Sequence, residues 1–444
     1  MTGPPRTVTL NRLASAVAWL NPRRLRAQAV VLALCLWGVC AVDFLYPGPI
    51  DRAANIKFQD FLSFYISGKL IAQGRTADLY NEPVRHAEML AIARPIDVAH
   101  ETISPRTAHT PSNVRIPNLL GPQVALLFAP LARFPFLVAA QVWVALSLLI
   151  YFVCVYAIWR CCPNLRPHAK ITALTAIAFP PLFHFFVRGQ ISALVLACFA
   201  AAFLALRADR SWLGGVALGF LAFKPQFLVA IPLILLLAQA WKIFGGLAIS
   251  AAAQFTLTRI YFGHAAMYSY ADMLWHTSRW INVAELSLAP IQMHSLRSFW
   301  SLLIPWPNGA FSLYVISSIA VVSIAAATWK SSSPLALRFA ALTLAAVLVN
   351  PHLFVYDLLV LAPVLLLVVN WTLSNVQRLS SAPVLLLSYL AFVLPLFGPL
   401  SRWTHVQISV PVFAALLWTL WRQSAELREP NDCRSLASPD SHVV

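Results

Sequence analysis

Charged residues make up only 11% of this sequence, and a few of them interrupt apolar stretches where a charge is costly. Asp60 opens the aromatic segment QDFLSFYISGK, Arg188 lies in FVRGQ, and Lys224 lies in FKPQ. Further along, the motif NPHLFVYD carries His352 and Asp357. A carboxylate can act as a general base, and fixed basic groups can stabilise a phosphate. Ionisable residues at membrane depth usually face a cavity or a partner, so these breaks are candidates for one site.

Three of these residues also have purely structural interpretations. Asp60 is a favoured N-cap, and its charge suits the positive end of a helix. Lys224 is compatible with a snorkelling side chain that marks the membrane interface, although Pro225 would break a helix there and free backbone groups. Like Lys224, Arg188 could either hold a phosphate or be a snorkelling anchor at the interface. The adjacent glycine favours a shaped turn there. The spacing alone leaves both kinds of interpretation open.

The motif NPHLFVYD also has more than one interpretation. His352 and Tyr356 are four residues apart, so they would share one face if this segment were helical. His352 could then hydrogen-bond a phosphate or a sugar, or it could be a satisfied structural histidine. Asp357 is either part of the site or an ion-pair partner of Arg297 or Lys224. Arg297, in MHSLRSFW, is equally compatible with an amphipathic surface anchor.

The helix predicted to begin near Asp60 has one small, polar face at helical spacing. Its bulky aromatic residues fall on the other face, which can rest on lipid or on other helices. The small face leaves room for a substrate beside the carboxylate. The residues on this polar face are Asp60, Ser63, Ser67 and Gly74.

Composition indicates the class of protein that must position these residues. The sequence is 59% hydrophobic with a mean hydropathy of +0.72, more apolar than one soluble core could bury. Because about 20 apolar residues cross a ~30 Å hydrocarbon core, the chain is predicted to be an all-α polytopic membrane protein of about twelve helices, with a range of about 10 to 13. The predicted spans are 28–46, 137–159, 171–187, 190–206, 212–223, 226–241, 243–262, 311–329, 338–350, 354–370, 382–399 and 405–421.

The distribution of charge predicts the topology. The net charge of +16 comes mostly from basic residues that flank apolar runs, which the positive-inside rule places in the cytoplasm. Both termini are therefore predicted to be cytoplasmic, with a basic segment over 1–27 and a disordered tail over 422–444. Residues 28–421 form one transmembrane domain, in which 47–121 is a long first periplasmic loop. Because topology explains the charge, no nucleic-acid partner is expected.

Several kinds of chemistry lack their usual sequence motifs. The cysteines have no C-x-x-C spacing, and the chain contains no H-E-x-x-H, no Walker-type phosphate loop and no D-x-D pair. We therefore expect no metal site, no cofactor and no soluble nucleotide as a direct substrate.

The order of the motifs resembles that of a known family. QDFLSFYISGKLIAQGRTADLYN, LLGPQVALLFAPLARFPFLVAAQVW, RGQIS, FKPQ and NPHLFVYDL follow one another from about Asp43 to Pro363. This order resembles the integral-membrane glycosyltransferases of family 87, which have the C-type glycosyltransferase fold. The family includes mycobacterial polyprenol-phosphate-mannose-dependent mannosyltransferases.

The resemblance implies a polyprenyl-phosphate-linked hexose donor, with mannose the first expectation, and an inverting, metal-independent transfer at the periplasmic face of a bacterial inner membrane. The acceptor would be a glycolipid, a glycan or a protein, and membrane lipid would surround the enzyme. Asp60 falls on the catalytic aspartate of the family's first loop. The donor phosphate would bind Lys224, Arg188 and His352. The sugar or the acceptor would contact Ser63, Ser67, Gln190, Gln226, Tyr356, Asp357 and Arg297.

A secondary transporter or lipid flippase is the competing interpretation, since it would also place charges inside a helical bundle. Such a protein would be expected to show internal repeats and a site near the bilayer midplane. The sequence shows no convincing repeat, and the candidate residues are predicted to lie on one face.

Overall fold

The computed structural model describes residues 21–46, 48, 51, 56–101, 118, 120–280, 292–375 and 381–426, with side chains described outside 93–101 and 276–280. Throughout these ranges the regular structure is helical, apart from isolated bridge positions, of which Met293 and Phe354 form a pair. The predicted all-α class is therefore confirmed. The α-helices are α1 (Pro22–Leu45), α2 (Gln59–Ala72), α3 (Glu82–Glu101), α4 (Pro122–Phe128), α5 (Phe136–Arg160), α6 (Ala169–Ile177), α7 (Pro180–Arg188), α8 (Ser192–Arg207), α9 (Ser211–Gly219), α10 (Ile231–Leu237), α11 (Trp241–Trp280), α12 (Leu296–Leu303), α13 (Pro307–Lys330), α14 (Leu335–Leu348), α15 (Leu361–Leu373), α16 (Ser381–Val393), α17 (Ser401–Thr404) and α18 (Ser409–Glu426).

Short 3₁₀ segments connect or extend these helices, and several breaks fall at proline or glycine. Pro22, Pro180 and Pro307 begin α1, α7 and α13, where a missing backbone donor costs little. Gly189 ends α7 in the left-handed conformation, with φ 67°. The 3₁₀ segments are Thr76–Tyr80, Leu131–Arg133, Pro163–His168, Phe220–Phe223, Pro225–Leu228, Val355–Val360 and Leu394–Leu400.

The number of helices that can cross a membrane is smaller than the sequence suggests. Among the described residues, six helices are long and apolar enough to span a bilayer, or up to seven if the bent pair Pro163–Ile177 and Pro180–Arg188 is one span. The predicted spans 190–206, 212–223, 226–241 and 338–350 correspond to shorter apolar helices. A helix of ~14 residues reaches only about 21 Å at 1.5 Å per residue, short of a ~30 Å hydrocarbon core. The count of twelve therefore stays a prediction.

Some predicted segments lie partly or wholly outside the described residues. Residues 1–20 and 427–444 lie outside them, so the proposed basic N-terminal segment and disordered tail are mostly not described. Residues 422–426 of the predicted tail are helical, because α18 continues to Glu426. In the long first loop the structure describes α2, the 3₁₀ turn Thr76–Tyr80 and α3.

The first-loop helix α2 is packed into the protein interior, with most of its residues buried. The Phe61 ring lies 5.9 Å from that of Phe128 and 6.0 Å from that of Phe136, between centroids. At Gly68 an added Cβ would lie 2.4 Å from the Phe128 backbone, so α2 and α4 approach at van der Waals distance. The aromatic face of α2 thus rests on other helices, one of the two predicted environments, and this packing fixes the position of Asp60.

Candidate active site

Asp60 lies in the first turn of α2, and its carboxylate is held by the turn between α7 and α8. The Gln190 Nε2 group donates to Asp60 Oδ2 at 2.6 Å, and Arg188 Nη1 lies 3.5 Å from Asp60 Oδ1. The N-cap of α2 is Phe58, in a left-handed conformation and without a side-chain cap. The interpretation of Asp60 as the N-cap is therefore wrong. Its carboxylate instead contacts two residues of a single turn, Arg188 and Gln190, which lie 128 and 130 residues away in the sequence.

The turn that holds Asp60 has a shape that requires glycine. Gly189 has φ 67°, and an added Cβ would lie 2.8 Å from Phe61 Cβ, so any other residue would be strained and would also collide with α2. The Trp143 indole nitrogen donates to the Gly189 carbonyl at 3.1 Å. The predicted shaped turn is thus confirmed, and α2 and α5 both fix it.

Lys224 and Asp357 form a buried ion pair beside this turn. Lys224 lies between the 3₁₀ segments Phe220–Phe223 and Pro225–Leu228, so the predicted break at this proline is confirmed. The Lys224 and Asp357 side chains are only 5% and 1% exposed. Ser192 Oγ also donates to Asp357 Oδ1, at 2.6 Å. Of the two partners predicted for Asp357, the structure selects Lys224.

Residues 350–354 are not helical, because Asn350 and Pro351 follow the end of α14 and disfavour helix. The Asn350 side chain accepts from the His352 backbone N–H at 2.9 Å. The His352 ring packs edge-on against Phe354, which in turn stacks on Tyr356. The condition under which His352 and Tyr356 would share a helical face is therefore not met, and Phe354 separates their rings.

Electrostatic contacts connect these pieces into one cluster. The Lys224 ammonium lies 5.6 Å from the Tyr356 ring centroid. Its charge also reaches Asp60 and His352, where it opposes the rise that burial causes in the pKa of Asp60 and contributes to the lowered pKa of His352. Burial, followed by the charges of Lys224 and Arg297, lowers the pKa of His352 to about 3. The imidazole is consequently neutral near neutral pH and can act through hydrogen bonds.

The Asp60 carboxylate is accessible to a substrate, and its pKa differs from the ordinary value of an aspartate. Its side chain is 16% exposed and that of Arg188 is 30% exposed, so both can be approached. Burial raises the pKa of Asp60 above its ordinary value, while Arg188, Gln190 and Lys224 oppose that rise. In its ionised form, a carboxylate whose pKa is raised is a stronger general base than an exposed one.

Arg85 was not predicted as a site residue, and it fills the polar face of α2. Its guanidinium donates to Ser67 Oγ at 2.8 Å and to Ser63 Oγ at 2.6 Å. It also reaches the carbonyls of Ser63 and Leu79. Ser63 and Ser67 therefore face the buried Arg85, and the predicted contact of these serines with a sugar is not supported. Gly74 lies beyond the end of α2 at Ala72 and does not belong to this face.

Three other side chains complete the description. Gln292, also missed in the sequence, accepts from Arg188 Nη2 at 3.2 Å. Gln226 is half-buried in the 3₁₀ turn that follows Lys224, and Arg297 is half-buried in α12 near His352. Within the described part of the chain, no group of three or more His, Cys, Asp or Glu side chains could hold a metal ion.

Comparison of the chain with known proteins identifies its family. No curated protein and no solved structure matches it. The family model described as glycosyltransferase family 87 matches residues 119–354, more than half of the 444 residues. The matched range contains Arg188, Lys224 and His352, whereas Asp60 precedes it. The apolar helices indicate a membrane protein, and the chain belongs to glycosyltransferase family 87 and is a glycosyltransferase.

Proposed function

We propose that this glycosyltransferase moves a hexose, with mannose the first candidate, from a polyprenyl-phosphate donor to an acceptor hydroxyl. The transfer inverts the anomeric centre and uses no metal. The observation that carries the proposal is the carboxylate of Asp60 set beside the partly exposed cation Arg188, within reach of the charge of Lys224. A base next to cations is the arrangement that a hydroxyl nucleophile and a phosphate leaving group require.

In this mechanism Asp60 takes the proton of the acceptor hydroxyl as that oxygen attacks the anomeric carbon. The new carbon–oxygen bond forms on one face of the sugar while the bond to the phosphate oxygen breaks on the other. The bonding electrons leave with the lipid phosphate, and the proton stays on Asp60 until it exchanges with solvent. The hydrogen bond from Gln190 to Oδ2 orients the carboxylate and leaves Oδ1, which is only weakly bound by Arg188, to meet the hydroxyl.

Negative charge grows on the phosphate as it leaves, so fixed donors lower the barrier. Arg188 is the best placed of the three proposed phosphate ligands, because its side chain is 30% exposed whereas that of Lys224 is 5% exposed. Lys224 contributes a positive charge that Asp357 holds in position. His352, neutral near neutral pH, contributes a hydrogen bond.

The remaining proposed contacts surround this centre. Gln190, Gln226, Tyr356 and Arg297 are assigned to the sugar or to the acceptor, while the contacts of Asp357 support a role in holding Lys224. A glycolipid, a glycan or a protein could each supply the acceptor hydroxyl. The basic residues that flank the apolar runs support termini in the cytoplasm and a site on the opposite, periplasmic face of a bacterial inner membrane.

The test is transfer of radiolabel from a panel of polyprenyl-phosphate hexoses to native membrane acceptors by purified protein. We expect Asp60→Asn to lower the rate by about 10²- to 10⁴-fold, the usual contribution of a general base. Asp78→Asn is the matched control, because Asp78 is 28% exposed and pairs with Arg75 on the same loop. It should keep the wild-type rate.

Full activity in folded Asp60→Asn would refute the assignment of the base. If wild type moves no label from any donor although it is folded and native acceptors are present, a lipid flippase or transporter becomes the better interpretation.

A further inference from the structure

A cavity of about 370 Å³ lies between α1, α6, α15 and α16. It lies at the opposite end of the molecule from Asp60. Lys57 donates to the carbonyls of Tyr46 and Gly48 just after α1, so the C-terminal end of α1 adjoins α2. The cavity's lining on α1 begins at Pro22 and Leu25, at the N-terminal end of that helix, and the length of α1 separates its two ends by about 35 Å at 1.5 Å per residue.

Two other helices run between the same two ends. Helix α5 begins at Phe136, which packs against Phe61 of α2, and it ends at Arg160 just before the segment that lines the cavity. Helix α15 follows the 3₁₀ turn that contains Asp357 and ends at Leu373, in the cavity wall. The cavity is therefore separate from the candidate active site.

The wall of this cavity is apolar over most of its surface. Leu32, Leu366, Val369, Leu385 and Phe392 are among the residues that line it. Polar groups are fewer: the Tyr389 hydroxyl donates to the Gln28 side-chain oxygen at 3.0 Å, and His168, Thr172, Thr175 and Ser388 also contribute to the lining. Such a wall suits a hydrocarbon chain, which needs contact area and no polar partners.

We call the end of the cavity at Pro22 and Leu25 its mouth; along the described part of the chain, the charged side chains that neighbour the lining residues in the sequence are basic. The exposed side chains of Arg23 and Arg26 flank its lining residues on α1, and those of Arg166 and Lys170 flank its lining residues around α6. The four helices contain no aspartate or glutamate within 22–42, 163–177, 361–373 or 381–393. Basic pockets between transmembrane helices are typical binding sites for anionic lipid headgroups.

We propose that this cavity binds one anionic phospholipid, with an acyl chain inside and the phosphate at the basic mouth. The occupant is a lipid of the surrounding membrane, distinct from the sugar donor that is proposed to bind at the other end. Charge complementarity at the mouth favours an anionic over a zwitterionic headgroup, because each added Lys or Arg near an anionic lipid surface strengthens binding by about 1 kcal/mol. The proposal does not depend on the nature of the sugar transferred.

The test measures thermal unfolding of the purified full chain in detergent micelles by its tryptophan fluorescence. Dioleoylphosphatidylglycerol should raise Tm in a saturable manner, on the order of 3 °C at a lipid concentration of about 100 Kd. Dioleoylphosphatidylcholine should not. The triple variant Arg23→Gln, Arg26→Gln, Lys170→Gln should weaken the apparent affinity by about 100-fold, from about 1 kcal/mol for each charge removed.

A matched triple variant, Arg207→Gln, Arg210→Gln, Lys242→Gln, removes the same charge at exposed positions outside the cavity and should respond like wild type. Ala29→Phe should fill the cavity and abolish the response, whereas Ala27→Phe, on the exposed side of the same helix, should not. If Ala29→Phe does not fold, the comparison of the triple variant at the mouth with its matched control tests the proposal.

Equal stabilisation by the two phospholipids, or an unchanged response in the mouth triple, would overturn the proposal. So would stabilisation by polyprenyl phosphate without stabilisation by phosphatidylglycerol, because the cavity would then hold the donor's lipid.

Discussion

A double-mutant cycle can separate what the buried pair of Lys224 and Asp357 contributes to stability from what it contributes to catalysis. Both side chains are at most 5% exposed, so replacing one of them leaves the other charge buried without its partner. Breaking such a pair typically costs about 3–5 kcal/mol. Lys224→Met and Asp357→Asn should therefore each destabilise the protein by about this amount. Asn at position 357 keeps an oxygen to accept the hydrogen bond from Ser192.

The double variant Lys224→Met, Asp357→Asn should recover most of the lost stability, because no isolated charge remains buried. The two single losses together amount to about 6–10 kcal/mol, so a double variant that loses only about 1–2 kcal/mol implies a coupling free energy of at least about 4 kcal/mol, above the values usual for residues in contact. The assay is reversible unfolding of the four proteins in mixed micelles, with transfer rates measured on the same samples. Ser333→Ala, at a buried serine away from this pair, provides a control for general sensitivity of the core.

Additive single effects, or losses below about 1 kcal/mol in both single variants, would refute the reasoning about burial. The transfer rates answer a second question. If Lys224 stabilises the leaving phosphate, the restored double variant stays slow and has a raised KM for the donor. A double variant with wild-type kinetics would confine Lys224 to a structural role.

Two further substitutions test how the site is positioned. Gly189→Ala should destabilise the protein by about 1–2 kcal/mol from its left-handed backbone alone, and by more because the new Cβ would collide with α2. Gly74→Ala has a similar φ of 73° and open space around it, so in unfolding measurements it should show only the backbone cost. Arg85→Met should remove the donors to the two serines of α2, cost about 1–3 kcal/mol, and lower kcat with little change in KM. A wild-type kcat in Arg85→Met would show that α2 keeps its position without this residue.

The sequence predicted which breaks would come together, because each break has a local chemical cause. Pro225 interrupts a helix, Gly189 permits a left-handed turn, and a charge in an apolar run needs a partner. These causes act over a few residues, so they are visible in the sequence. The cluster of Asp60, Arg188, Gln190 and Lys224 follows from them. The end of α14 before Asn350 also has a local cause, since Pro351 disfavours helix in the residue before it, but the sequence left open whether a helix resumes after Pro351.

Other features depend on contacts between distant segments and leave little local trace. Arg85 binds Ser63 and Ser67 from another helix of the same loop, and its arginine looks like any surface charge in the sequence. The number of membrane spans is difficult to predict from the sequence for the same reason. Helix α14 (Leu335–Leu348) is as apolar as a membrane span, but it has only 14 residues and most of them are buried in the protein. Apolar length alone does not separate a lipid-facing span from a buried helix.

Arg188 links donor binding to the strength of the base. Without donor, its positive charge lowers the pKa of Asp60, although burial keeps that pKa above its ordinary value. In the proposed mechanism the donor phosphate binds Arg188 and compensates its charge, so the pKa of Asp60 rises once the donor is bound. Asp60 would therefore become a better base only when there is a sugar to transfer.

The pH dependence of the reaction tests this coupling. The acid limb of kcat/KM reports the free enzyme, and that of kcat reports the donor complex. Because Asp60 must be ionised to act, each limb falls as the pH drops through the pKa of that state. We expect the acid limb of kcat to lie at higher pH than that of kcat/KM. In Arg188→Gln the acid limb of kcat/KM should move to higher pH, because no cation lowers the pKa of Asp60 in the free enzyme. The difference in pH between the acid limbs of kcat/KM and kcat should therefore become smaller. Coincident limbs in wild type would contradict the coupling while leaving Asp60 as the base.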